Sequence, residues 1–184
     1  MATQTIIQYL ETSQVDGFGA SVPVGLAAMN RRQTEVFLAG EALDAGDWVA
    51  LDLTAASDEV ASVTIAKADS AKGGAAPTIT SQASIVVGVV LGPASERDDD
   101  GSGGVVSGGQ ASVCIRGICE AKTDGSVTAI NVGDALTADS TAGKAVKAEY
   151  TGAAPYARVL ICGMAVDATA ADGLSSVYVM PSLG

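Results

Sequence analysis

Apolar and polar residues alternate with period two along most of this chain, and short clusters of Gly, Asp and Ser interrupt the alternation. That is the pattern of half-buried strands joined by turns. TEVFLAG (34–40) and DWVALDL (47–53) alternate, with a short turn between them. VASVTIAKA (60–68) places Val63 and Ile65 on one face and Thr64 on the other. SIVVGVVL (84–91) is apolar on both faces, which predicts a central, buried strand. QASVCIRGICEA (110–121) sets Val113, Ile115, Gly117 and Cys119 on one face and Cys114, Arg116, Ile118 and Glu120 on the other. ARVLICGMAVDA (157–168) is again apolar on both faces, and SSVYVMP (175–181) aligns Val177 with Val179. No window of eleven or more residues carries a strong helical stripe. The pattern predicts a mainly β fold: a compact domain of short antiparallel strands with at most one short helix.

Three stretches depart from this rhythm. Residues 1–33 read as an N-terminal segment distinct from the β domain at 34–184. TIIQYL (5–10) is a short strand candidate, VDGFGASVPVG (15–25) is loop-like, and LAAMNRR (26–32) fits one or two helical turns. The segment is either an arm that needs another surface to bury Ile6, Ile7, Tyr9 and Leu10, or an ordinary first strand. KADSAKGGAAPTITSQ (67–82) and PASERDDDGSGGVVSGG (93–109) read as exposed, mobile loops.

An internal echo runs through the domain. AGDWVALD (45–52) and VGDALTAD (132–139) share G-D-x4-D; AKA (66–68) and VKA (146–148) follow, then VGVV (87–90) and CGMA (162–165). The same signals in the same order suggest two related β units packed in one domain.

Composition narrows the chemistry. The chain has 184 residues, 48% of them hydrophobic but only 4% aromatic, so a core must be built from Val, Ile, Leu and Ala. Its net charge is −11, which disfavours binding to nucleic acid. It has no histidine, the commonest general base and transition-metal ligand. Three cysteines do not make a fully paired disulfide framework and fit folding in a reducing compartment. The N-terminus MATQTIIQYLETS does not read as a secretory signal, and IVVGVVL is too short to span a bilayer. The expectation is a soluble protein made in the cytoplasm.

Each motif that hints at chemistry fails on its own terms. ADSTAGKA (138–145) approaches a phosphate-binding loop, but Ala138 stands where the first glycine belongs and Ala145 where the magnesium-binding hydroxyl belongs. A turn at Ser140–Gly143 between two strands is the reading it supports. The acidic run Asp98–Asp100 lacks the closing carboxylate of a calcium loop, because Gly109 occupies that position. Cys114 and Cys119 have opposite parity on a strand and are expected on opposite faces, with Cys119 and Cys162 as core residues and Cys114 as a half-exposed thiol. Arg31, Arg32 and Arg116 are expected in salt bridges. Trp48, the single tryptophan, is expected to fill a core or interface. No nucleophile–base motif is present, so no catalytic, cofactor-binding or metal-binding residue is predicted, and the chain is read as a non-enzyme.

The order AGDWVALD, AKA, IVVGVVL, GGQASVCIRGICEA, VGDALTADSTAGKAVKA, RVLICGMAVDA resembles the small capsid-decoration proteins of tailed bacteriophages, the head-stabilising group with a β-tulip domain, over residues 34–181. The resemblance implies a homotrimer on the capsid exterior, with the major capsid protein as partner. It implies a role in cementing the shell, with Ile6, Ile7, Tyr9 and Leu10 as the capsid-contacting arm. It implies no nucleic acid, membrane or small-molecule substrate and no cofactor. A tail or fibre component, and a carbohydrate-binding surface module, are the alternative readings.

Overall fold

In the computed structural model the described residues are 32–52, 64–69, 86–126, 128–148 and 161–180. The candidate arm residues Ile6, Ile7, Tyr9 and Leu10, the helical candidate at 26–31 and most of the predicted loop at 67–82 lie outside them. The described residues form nine strands: β1 (Gln33–Ala39), β2 (Trp48–Leu51), β3 (Thr64–Lys67), β4 (Val86–Pro93), β5 (Gln110–Asp124), β6 (Ala135–Ala138), β7 (Ala145–Lys147), β8 (Gly163–Ala165) and β9 (Asp172–Val179). The one helical element among them is a 3-10 turn at Glu96–Asp98. The fold is mainly β, as the alternation predicts, and barrel-like.

The pairings close two five-stranded rings that share one strand. The first runs β1-β3-β2-β4-β5 and returns to β1; the second runs β5-β7-β6-β8-β9 and returns to β5. Two details differ from a set of short antiparallel strands. β5 is fifteen residues long, and the pairs β1–β3 and β5–β7 are parallel.

The two rings are repeats of one another, so the echo in the sequence is structural. In each, one strand pairs antiparallel with its two successors: β2 with β3 and β4, β6 with β7 and β8. Each is entered by the same turn. The Asp44 N–H donates to the Asp47 carboxylate at 2.8 Å, and the Asn131 N–H donates to that of Asp134 at 2.8 Å. Gly46 and Gly133 hold the same left-handed conformation, with φ of 89° and 87°. Their N–H groups reach Val90 O and Ala165 O, while Val90 and Ala165 donate back to Asp47 O and Asp134 O. Val49, Ile65, Val90 and Val113 therefore occupy the positions that Leu136, Ala145, Ala165 and Val177 occupy in the second ring, and all eight are buried.

The strand shared by the rings departs from simple alternation. Thr34 faces Cys114 but Gln33 faces Arg116, so an extra residue bulges from β5 between them. Gly117 follows with φ 111°, and from there β5 pairs with β9. Bulge and bend shift the parity by one. Cys114 thus falls on the same side as Cys119, and both lie buried with Cys162 in one cluster. The expectation of a half-exposed Cys114 is corrected. Its thiol donates to the Arg116 carbonyl at 3.5 Å. A hydrogen bond with Cys114, reinforced by burial, holds the Cys119 thiol far above its ordinary value, and burial pushes Cys162 up to about 12. Cys119 and Cys162 therefore stay protonated and unreactive.

The 93–109 segment is exposed along most of its length, as expected, but it carries an anchor. It folds back through bridges from Val105 to Leu43 and Asp99, and Val105 is fully buried in the first barrel. Glycine and aspartate dominate its composition, but one valine anchors it.

Candidate functional site

The ion pairs of the described body gather at turns. Asp47 is 1% exposed and lies between two lysines, Lys67 Nζ at 3.3 Å and Lys122 Nζ at 2.7 Å. Lys122 also reaches Asp44 at 2.8 Å. In the second barrel Lys147 pairs with Asp134 at 2.9 Å, repeating the Lys67–Asp47 contact near the surface. Lys144 pairs with Asp172. Arg32 and Arg116, expected in salt bridges, form none with another described residue; Arg31 lies outside the described residues.

These pairs set a pH dependence. A hydrogen bond and charge from Lys122 lower Asp44 below 3.8, and Lys147 with the Asn131 N–H lowers Asp134. A carboxylate lowered on folding adds stability above its unfolded value, and that stability is lost as pH falls through the folded value. For Lys122, burial pulls the ammonium down, but the hydrogen bonds it donates to Asp44 and Asp47 outweigh it and hold it above 10.5. Its contribution is present below 10.5 and is lost as pH rises through the folded value. With no histidine in the chain, the thermal midpoint is expected to be level from roughly pH 5 to 8. It should drop below 3.8, and above about 9, where the Cys119 and Cys162 thiols ionise in the unfolded chain but stay protonated in the folded one; Lys122→Met should flatten the acid limb and the part of the alkaline limb above 10.5. A transition centred near neutrality would contradict this.

The sequence motifs resolve into turns. Gly143 sits between β6 and β7 with its N–H donated to Ala68 O and its own carbonyl accepting the Trp48 backbone N–H, and a Cβ added there would lie 2.8 Å from the Asp47 carboxylate. The backbone that would cradle a phosphate is used up in joining the two rings. At the acidic run, Asp99 accepts the N–H groups of Gly101 and Gly103, and Asp100 those of Ser102 and Gly104. The carboxylates shape the loop. Trp48 is fully buried, its indole N–H donating to Lys122 O at 3.1 Å. No group of three or more His, Cys, Asp or Glu among the described residues is placed to hold a metal. No described helix is long and apolar enough to cross a membrane. A shallow open cleft of about 480 Å³ beside β1 is lined mainly by glycine, serine and the Arg97 and Asp98 side chains.

What the surface of the body offers is apolar. Ile118 on β5 stands opposite Tyr178 on β9, Tyr178 opposite Met164 on β8, and Met164 opposite Ala135 on β6. Cross-strand partners lie side by side on one face, so these residues form a row across the outside of the second barrel. Ile161 (42% exposed), Met164 (38%) and Val166 (36%) line its β8 side. Sequence reasoning saw residues 157–168 as apolar on both faces but gave no sign that one face would be open. That depends on which strands pair.

No protein-family model matches the chain. No curated protein matches it either. Among solved structures, the chain is similar to the head fiber gp8.5 N base in bacteriophage phi29. The two are 17% identical, the likeness covers 84% of this chain and 99% of that one, and the TM-score is 0.46. No residue of this chain takes a role from that likeness.

Proposed function

We propose that this chain is a structural protein of a phage virion and, more narrowly, that it binds the capsid exterior as an oligomer and cements the shell. The observation that carries the reading is a coincidence of segments. The pieces that resemble decoration proteins are the G-D turns, the strands that follow them and the apolar strands β4 and β8. These same pieces build the two barrels and their junction. A body whose lysines are all paired among the described residues, and which leaves an apolar row open, is suited to binding a surface. The partner is the major capsid protein. The N-terminal residues Ile6, Ile7, Tyr9 and Leu10 serve as the contact, adding a strand to a sheet edge of the shell, with backbone hydrogen bonds for affinity and alternate side chains for fit. Many weak copies on one lattice stabilise the shell by mass action and avidity, without turnover. The test is electron cryo-microscopy of the particle that carries this chain. Density on the outer shell is expected; density confined to the tail or to a fibre would overturn the cementing role in favour of a tail or fibre component.

A further inference from the structure

The internal repeat gives every position of one barrel a counterpart in the other, and the counterparts differ in what covers them. On the first barrel the outward row Trp48–Val89–Cys114 is paired across β2, β4 and β5, and all three residues are fully buried. They are covered by the second barrel: Val86, Val89, Leu91, Trp48 and Cys114 pack in one cluster with Ala121, Ala138, Cys162 and Val179. The row is a plug, and the end of the second barrel is the socket that receives it.

Both halves of that joint have counterparts, though not exact copies: in the plug Ala135 stands for Trp48 and Tyr178 for Cys114, and the second socket is partly buried. The counterparts of Val86, Val89 and Leu91 are Ile161, Met164 and Val166, all exposed. The counterparts of the socket residues Ala121, Ala138, Cys162 and Val179 are Phe37, Leu51, Val87 and Ile115. These four are only partly buried, at the end of the first barrel. Large side chains in the second socket stand where small or fully buried ones stand in the filled one, and the second plug carries Ala135 where the first carries Trp48, so bulk is exchanged across the joint.

We infer that the exposed plug of one copy seats on the partly buried socket end of a second copy, head to tail, in the arrangement that joins the two barrels within a chain. The contact is heterologous, so it closes into a ring or runs on as an open chain. This deepens the oligomer named in the virion reading, but it does not depend on a capsid: the two fail separately, because association of the free protein is measured without a shell. At a net charge of −11 per copy, added salt should strengthen it.

The test uses the full-length chain and sedimentation velocity over a wide concentration series. The wild type is expected to associate. Met164→Asp, at an exposed site, should keep the wild-type melting curve and weaken association at least tenfold. Leu51→Asp should do the same from the socket side, and if it fails to fold, Leu51→Gln replaces it. Mixing the plug variant with the socket variant decides the geometry. Each keeps one intact end, so a head-to-tail joint predicts dimers in the mixture and none in either variant alone. A wild type that stays monomeric throughout would overturn the inference. So would association untouched by Met164→Asp. So would a monomer that begins to associate only when residues 1–31 are removed, which would show the chain's own N-terminal segment filling the socket.

Discussion

Asp47→Ala is expected to cost about 3 kcal/mol of folding stability, the low end for removing one member of a buried ion pair. The carboxylate is 1% exposed, and it compensates two ammonium groups and the Asp44 N–H. Alanine leaves Lys67 and Lys122 facing each other across an unsatisfied gap. Their side chains keep 26% and 27% exposure, so water relieves part of the repulsion, which is why the low end applies. In a domain of this size the thermal midpoint should fall by roughly 6–12 °C. Asp134→Ala is the internal control. It removes the same turn residue of the second repeat, but that carboxylate has one lysine partner and lies near the surface, so its midpoint should move far less. Equal shifts for the two variants would show that the turn, and not the buried triad, carries the effect.

Gly88→Ala is expected to be worse, enough to prevent the first barrel from closing. A Cβ at this position would lie 2.1 Å from the Cys114 carbonyl oxygen and 2.9 Å from Val113 Cγ1. The obstacle is backbone, which cannot swing aside as a side chain does. Relief requires β4 and β5 to part, and with them the pairs Val89–Cys114 and Val90–Val113. Overpacking in a core costs about 1–3 kcal/mol when side chains can adjust; here the loss should exceed that and appear as insoluble or unfolded protein. Gly173→Ala, on β9 with nothing within 4 Å of the added methyl, should leave the melting curve in place or raise it slightly. A folded Gly88→Ala with an unchanged midpoint would mean that β4 and β5 are not as closely paired as described.

The strands were legible because their burial follows a period of two, and the repeat was legible because its turns need particular chemistry. A glycine with positive φ followed by a carboxylate immediately before a strand recurs at 46–47 and 133–134 for one physical reason: the pair shapes the same backbone turn. Three features were not legible. The parity of Cys114 depends on a bulge that only the Thr34 and Gln33 register reveals. Val105 sits in a run of glycine and serine, so its role as an anchor comes from where the loop lands and not from its neighbours in sequence. The open row at Ile161, Met164 and Val166 has the same apolar pattern as the covered one at Val86, Val89 and Leu91; alternation records that a face is apolar and is silent on what lies against it.

The central claim is that this body works by seating on a viral shell, and the most direct measurement is the cryo-microscopy map of the particle, refined far enough to place both barrels. The account predicts density for the chain at regular positions on the outer surface. Neighbouring copies should touch through the Met164 side of one and the Leu51 end of the next, and residues 5–10 should be followed onto the capsid protein. A map that shows the chain absent from the shell, or present only in the tail, would contradict it.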